Sequence, residues 1–206
     1  MASEQAELVL TRAPRPEDAA AVAGLLNVVA MAETGMLQTT VEQVRQNWQV
    51  ADFELSRDAW VLVNREGTII GYAELWNQHP HVTPYVWIQV YPDYAGGSLE
   101  GHLLQLAEAR ARQGFAKAPQ DARITLCTAT VSVNQSARRL FYQHGFALAR
   151  RYWQAGQRID PSPAALCLPG SAAGDAAQGE HPLYRYDLYE KELRAGRELS
   201  MRSLEG

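Results

Sequence analysis

Short apolar runs and longer amphipathic stretches follow one another along the chain, and these two patterns predict strands and helices. Helical spacing predicts four helices: one that follows the acidic segment 14–18 and ends near residue 31, a short one that opens at Thr39 or Thr40, and two at 99–113 and 134–144. Two-residue alternation or fully apolar runs predict seven strands, at 7–12, 59–64, 68–76, 85–91, 123–131, 146–153 and 183–193. Because three strands follow one another directly, we expect a mixed sheet with helices on both faces, in the α/β (α+β) class.

Turn residues and a change in composition set the predicted organisation. Gly67 lies in the turn between the second and third strands, and Gly145 follows the last helix, where glycine commonly adopts a positive φ. Residues 155–181 are rich in Pro, Gly, Ala and Ser without a useful period, which predicts a long loop or a partly disordered insertion. We therefore expect one domain over 1–206, with a core at about 7–154, this insertion, and a closing strand at 182–193.

The composition is that of an ordinary globular protein and argues against several classes. The chain has 206 residues, 19 of them basic and 23 acidic, with a formal net charge of −4. This balance disfavours nucleic acid or an anionic membrane as the main partner. Two cysteines without a His/Cys cluster predict no metal site. The lack of a long apolar run or a signal-peptide pattern predicts a cytoplasmic protein.

A glycine-bearing loop joins the fourth strand to the third helix. It runs from Pro92 through Gly96 and Gly97, and the helix follows at once. A strand, a glycine loop and a helix start together favour an anion, because free backbone N–H groups and the helix dipole both attract negative charge.

The segments around this loop carry a resemblance to a known family. The chain enters the loop through Val90-x-Pro92-x-Tyr94, and its last helix reads Asn134-x-x-Ala137-x-x-Leu140-Phe141 before Gly145-Phe146. In these motifs and in element order, residues of about 7–154 resemble the GNAT superfamily of acyl-coenzyme A N-acyltransferases. The resemblance implies a GNAT-like central mixed sheet of six to seven strands flanked by about four helices.

The same resemblance implies acetyl-CoA, or another acyl-CoA, as co-substrate, with no metal. Its pyrophosphate would bind backbone amides of 95–101. Its pantetheine arm would follow 87–91, where the fourth strand splays from the fifth strand at 125–129. The cofactor-binding residues implied in this way are Gln89, Val90, Tyr91, Ala95, Gly96, Gly97, Ser98, Leu99, Gly101, Asn134 and Phe141.

The loop departs from the phosphate-binding pattern of that superfamily. Aligned from Pro92, the key positions carry Ala95 instead of a cation, and Ser98 and Glu100 instead of small glycine-like residues. A glutamate directed at a pyrophosphate would oppose its binding by charge repulsion. A loop remodelled around its glycines, with Glu100 turned to solvent, would relieve that repulsion.

The implied reaction is attack of an unprotonated amine on a thioester, which needs a base. The fourth strand offers Gln89 where a carboxylate would serve, so Glu74 on the third strand is the candidate base. A carboxyl beside a substrate groove can have a raised pKa. His79 and His81, in the loop before the fourth strand, are the alternatives.

The departing thiolate is usually met by a tyrosine acid in the last helix. That position is Phe141 here, and the neighbouring Tyr142 is the remaining catalytic candidate, although it lies about 100° round the helix. The resemblance places Glu33, in the turn between the first two helices, where this superfamily often shapes its acceptor site, and Glu33 and His81 are the residues expected to bind substrate.

Together these features predict an enzyme that moves an acetyl (acyl) group from acetyl-CoA to a primary amine of a small molecule by direct transfer. The alternative is a catalytically decayed GNAT-like binding or regulatory module with weak or no CoA binding. The expected partner is a small-molecule amine, with a homodimer left open.

Overall fold

The chain folds into a seven-stranded mixed sheet with helices packed on both faces. The computed structural model describes residues 9–95, 97–155 and 183–199. Its strands are β1 (Leu10–Arg12), β2 (Ala59–Val63), β3 (Ile69–Trp76), β4 (Tyr85–Val90), β5 (Ile124–Val131), β6 (Ala147–Ala155) and β7 (Leu183–Arg194). Its helices are α1 (Ala19–Thr34), α2 (Val41–Asn47), α3 (Leu55–Asp58), α4 (Ser98–Gln113) and α5 (Gln135–Gln143).

The order of the strands in the sheet is β1-β2-β3-β4-β5-β7-β6. Neighbouring strands are antiparallel except β4 and β5, which run parallel. The strand β7 therefore lies between β5 and β6, so the last strand within the described residues lies in the interior of the sheet rather than at its edge.

Alternation along β3 assigns the two faces of the sheet. Tyr72 packs with residues of α1 and α2 in one hydrophobic cluster, whereas Leu75 packs with residues of α4 and α5 in another. Successive side chains of a strand point to opposite faces, so one strand serves both cores. Glu74 comes two residues after Tyr72 and therefore lies on the same α1–α2 face. Like every other residue of β3, it is buried.

The predicted order of elements is confirmed, and local signals explain many of the boundaries. Thr40 caps α2: its hydroxyl accepts the N–H of Gln43 at 3.2 Å while the Gln43 side chain accepts the N–H of Thr40 at 2.9 Å. Gly67 and Gly145 both have a φ of +81°. The sequence did not predict α3, which is a single turn, and the predicted insertion at 155–181 lies almost entirely outside the described residues.

The parallel pair β4 and β5 separates along its length. Its ladder has one paired position, Tyr85 with Cys127. Around it, the N–H of Thr125 donates to the carbonyl of Val82 and the N–H of Cys127 donates to the carbonyl of Pro84. Beyond that point the two strands no longer pair, which confirms the predicted splay. The gap opens at the carboxyl ends of both strands, where open α/β sheets commonly bind ligands.

Candidate active site

The gap between the diverging strands is a cleft of about 160 Å³, here called the splay cleft. It is lined by the carboxyl ends of β4 and β5, by the end of α1, by the start of α4 and by α5. Predicted cofactor-binding residues that line it are Gln89, Val90, Ala95, Asn134 and Phe141.

The backbone of both strands faces into the splay cleft. The N–H of Tyr91 donates to the carbonyl of Ile70 in β3 at 2.9 Å, so two-residue alternation turns the backbone groups of Ile88 and Val90 toward β5. On β5 the N–H of Cys127 faces β4, which orients Ala129 the same way. Divergence of the ladder leaves two strand edges that can hydrogen-bond an extended, amide-bearing ligand arm in the manner of an added strand.

The carboxylate of Glu100 lies at the N-terminus of α4. The side chain of Glu100 folds back so that its carboxylate accepts the N–H of Gly97 at 3.1 Å, and Glu100 also lines the splay cleft. An acid at this position complements the positive end of the helix dipole. The carboxylate is therefore not turned wholly to solvent, because it takes a backbone donor of the kind that a phosphate would use.

Other residues of the predicted phosphate loop have packing roles. Leu99 and Tyr91 are partly buried against the cluster that holds Leu103. A side chain at Gly101 would place its Cβ 3.1 Å from Nε2 of His144, so this glycine allows α4 and α5 to approach closely. Ser98 is exposed, and Gly96 lies outside the described residues.

Asn134 connects α5 to the end of α1. Its Oδ1 accepts the N–H of Ala137 at 2.9 Å, which caps α5, while its Nδ2 donates to Oε1 of Glu33 at 2.5 Å. Burial raises the pKa of Glu33, and the hydrogen bond from Asn134 offsets part of that rise. Glu33 is thus held at the cleft wall by a residue 101 positions away in the chain.

A second cavity, of about 50 Å³ and here called the side pocket, adjoins the splay cleft. Glu33 and Gln89 line both cavities. The remaining lining residues come from α1, α2 and the loop between them, from β3 and from β4, and they are Leu26, Ala30, Gln38, Thr39, Val44, Asn47, Trp48, Tyr72, Glu74 and Trp87.

A hydrogen-bonded chain fixes Glu74 in the side pocket. Nε1 of Trp48 donates to the hydroxyl of Tyr72 at 2.9 Å, and that hydroxyl donates to Oε2 of Glu74 at 2.6 Å. Burial raises the pKa of Glu74, and its hydrogen bond from Tyr72 acts in the opposite direction. A carboxyl buried in this way costs folding free energy when ionised, which is typical of a functional group.

Glu74→Gln should therefore make the protein more stable relative to wild type as the pH rises. The folded-state pKa of Glu74 is raised, so its stabilising contribution is complete below the unfolded-state pKa and is lost as pH rises through the folded-state pKa. We expect a gain of about 1 kcal/mol at pH 8 and less at pH 5, because glutamine keeps an acceptor for Tyr72 without the charge. Urea unfolding at both pH values measures it, with the exposed Glu66→Gln as control. A gain that shrinks from pH 5 to pH 8 contradicts the prediction.

The strand β7 contacts the end of α1 close to Glu33. The hydroxyl of Tyr184 donates to the backbone carbonyl of Thr34, which ties β7 to the end of α1. Tyr186 stacks on Tyr152 with ring centroids 5.7 Å apart. Burial first, and then the nearby charge of Glu33, raises the pKa of Tyr186 to about 12.

Two predicted site residues, Tyr142 and His81, lie away from both the splay cleft and the side pocket. Tyr142 is 50% exposed, contacts the ring of Tyr189 edge-on, and lines a surface depression instead of the splay cleft. His81 bonds through Nδ1 to the carbonyl of Asn77 at 2.7 Å and lines neither the splay cleft nor the side pocket. Phe141 is buried against Phe146 and Tyr189, which makes it a core residue that also forms part of the cleft wall.

Sequence reasoning missed two aromatic residues near the carboxyls, Tyr72 and Tyr186. Tyr72 could have been found, because it lies two residues before Glu74 on the same strand and must share its face. Tyr186 belongs to another element, and no periodicity relates it to Glu33. Across the described ranges, no group of His, Cys, Asp and Glu is arranged to hold a metal ion, and no helix is long and apolar enough to cross a membrane.

Comparison with known proteins identifies the family. The sequence profile of the acetyltransferase (GNAT) family matches residues 27–146, which is more than half of the chain. The protein therefore belongs to the GNAT acetyltransferase family. No curated protein matches the sequence.

Solved structures show the same fold. A GCN5-related N-acetyltransferase of Sphaerobacter thermophilus is 18% identical with a TM-score of 0.72, over 93% of this chain and 98% of its own. A protein of Salmonella typhimurium described as an acetyltransferase, and solved with its cofactor acetyl-CoA, is 14% identical with a TM-score of 0.61, over 94% and 98%. The ribosomal-protein-alanine N-acetyltransferase of Brucella melitensis is 19% identical with a TM-score of 0.61, over 89% and 99%.

Proposed function

We propose that this protein transfers the acetyl group of acetyl-CoA directly to a primary amine of a small molecule. The observation that carries the proposal is the position of Glu33, whose carboxyl lines both the splay cleft and the side pocket. One cavity suits a thioester arm and the other suits an acceptor, and a carboxyl at their junction can take a proton from the attacking nitrogen.

The splay cleft suits the pantetheine arm of acetyl-CoA. Backbone groups of Ile88, Val90 and Ala129 border it, and these can pair with the amides of that arm. Acetyl-CoA supplies an activated acetyl thioester when it binds there. The solved relative with acetyl-CoA supports the same class of ligand for this fold.

Glu33 has the properties of a general base. An amine reaches the site mainly as an ammonium ion, and its nitrogen must lose a proton before it can form the new amide bond. The raised pKa of Glu33 strengthens it as a proton acceptor near neutral pH. Its hydrogen bond from Asn134 fixes the carboxyl at the junction and leaves its second oxygen for the acceptor or a bridging water.

Glu74 is the second candidate base that the chain offers, and we assign it a different role. It lines the side pocket but not the splay cleft, and its Oε2 is engaged by Tyr72. A carboxyl in that position is suited to attract and orient the ammonium group, with the proton then passing to Glu33.

Polarisation of the thioester carbonyl needs only backbone groups. An N–H of Ile88 or Val90 directed into the splay cleft can stabilise the developing oxyanion. The thioester C–S bond then breaks as the N–C bond forms. The released thiolate has a conjugate thiol with a pKa of about 8.5, so it can depart without an acid from the protein.

Tyr142→Phe tests whether an acid is needed. We expect kcat to change by less than about twofold, since the Tyr142 hydroxyl is on the surface, whereas removal of a general acid costs about 100-fold or more. Steady-state thiol release measures kcat across pH 6 to 9. A loss of about 100-fold or more that is largest at the low end of this pH range would restore Tyr142 as the acid.

The side pocket favours a small acceptor over a protein. Its volume of about 50 Å³ suits a compact amine-bearing group, which a small molecule can fill as a whole. The Brucella melitensis relative is named for the alanine of a ribosomal protein. We do not extend that acceptor to this chain.

A decayed module with weak CoA binding is the second candidate, and Glu100 is the observation that favours it. Its carboxylate occupies the N–H of Gly97 at the helix start. Calorimetric titration with acetyl-CoA, followed by thiol release with a panel of amines, separates the two candidates. Binding with amine-dependent thiol release supports the transferase, and no binding up to about 1 mM supports the module.

A further inference from the structure

The side pocket has a one-sided charge. Two carboxyls, Glu33 and Glu74, face it, and none of its lining residues in the described part of the chain is Lys, Arg or His. The other polar members are neutral: Gln38, Asn47 and Gln89 among the amides, with the hydroxyls of Thr39 and Tyr72.

The walls between these polar groups are apolar and partly aromatic. Trp48 is buried and its Nε1 is already bonded to Tyr72, so its ring contributes only an apolar surface. Trp87 on β4 pairs with Glu74 on β3 across the ladder, which places the indole beside the carboxyl on one face of the sheet. An ammonium ion fits between a carboxylate and an aromatic ring, and a hydrocarbon body fits against Leu26 and Val44.

An acceptor that carries its own acid group fits poorly. A carboxylate or phosphate next to the amine would enter the same small pocket, face Glu33 and Glu74, and find no cation there. Like charges at close range in a partly buried site repel strongly, and an acid group that loses water without gaining a partner binds more weakly.

On this basis, and resting on the proposed acetyl transfer, we infer that the acceptor is a small monoamine with an apolar body and no acid group. Amino acids are the class that the pocket rejects. The charge of the pocket, not its size alone, makes that distinction.

Matched pairs of acceptors test the inference. Phenethylamine against phenylalanine, and isoamylamine against leucine, differ only by the α-carboxylate. We expect kcat/KM, measured by thiol release with acetyl-CoA, to be roughly 100-fold higher or more for each amine. Equal or higher values for the amino acids overturn the inference while leaving the transferase in place.

Two variants locate the discrimination in the side pocket. Glu74→Gln should raise KM for phenethylamine about tenfold with a smaller change in kcat, whereas the exposed Glu66→Gln should change neither. Gln38→Arg should reduce the ratio of kcat/KM for phenethylamine to kcat/KM for phenylalanine, because it gives the pocket a cation for the carboxylate. If Gln38→Arg leaves that ratio unchanged and Glu74→Gln leaves KM for phenethylamine unchanged, the discrimination does not arise in the side pocket.

Binding measurements separate the two ways of failing. Calorimetry with phenethylamine or phenylalanine reports the pocket without any turnover, and calorimetry with acetyl-CoA reports the splay cleft. Acetyl-CoA that binds without transfer to either monoamine counts against the inference alone. Acetyl-CoA that does not bind overturns the proposed function, and the inference falls with it.

Discussion

Glu33→Gln should lower kcat/KM by about 100-fold or more, the usual loss when a general base is removed. Glutamine keeps an oxygen for the bond from Nδ2 of Asn134, so the fold around the junction should persist. Burial raises the pKa of Glu33, and activity in wild type should therefore rise with pH through that raised value. In the variant this acid limb should disappear, leaving a rate that follows deprotonation of the free amine. A pH profile of kcat/KM by thiol release measures both effects.

The matched control for Glu33→Gln is Glu42→Gln. Glu42 lies on α2 with its side chain 67% exposed and forms a long surface pair with Arg45 at 3.9 Å. Its replacement removes the same charge from the same face of the protein and should change kcat/KM by less than about twofold. If both variants behave alike, or if the acid limb survives in Glu33→Gln, then Glu33 is not the base.

Glu100→Gln should tighten the binding of CoA roughly tenfold, and Glu100→Gly should do at least as well. The carboxylate lines the splay cleft and holds the N–H of Gly97, so it repels the phosphates and competes with them for a donor. Adding Ala95→Arg should increase the gain, because a cation then replaces a methyl group at the cleft wall. Calorimetric titration with CoA gives the dissociation constants.

Stability provides an independent readout for Glu100. The carboxylate complements the N-terminus of α4, so its removal should cost the free protein about 0.5 kcal/mol. Wild type should therefore have the higher Tm without CoA and the smaller increase in Tm with CoA. Asp93→Asn removes one charge from an exposed residue of the same loop that does not line the cleft, and should leave CoA affinity nearly unchanged. An affinity gain equal to that of Glu100→Gln would mean that net charge, not position, is responsible.

Local sequence patterns predicted most of the fold because they act over a few residues. The capping box at Thr40 follows from side chains three positions apart, and the positive φ at Gly67 and Gly145 follows from the absence of a Cβ at glycine. The single turn of α3 was missed, because four residues are too few to show a helical period.

The candidate site was predictable only in part. The sequence offered Glu74 as the candidate base and Glu33 as a candidate substrate-binding residue, whereas the roles that we propose depend on which cavity each one lines. The sequence left the orientation of Glu100 open, because a side-chain rotamer, not a residue type, decides whether a carboxylate points to solvent or to a backbone N–H.

The sequence by itself determined the order of the strands and of the longer helices and membership of the GNAT family, because periodicity and short motifs are written locally in the chain. Only the tertiary structure decided where β4 and β5 part, and that Asn134 brings Glu33 to the cleft from 101 residues away. Those outcomes depend on packing between distant segments. Tertiary packing therefore selected the carboxyl that stands at the junction of the splay cleft and the side pocket, where we propose that the amine and the thioester meet.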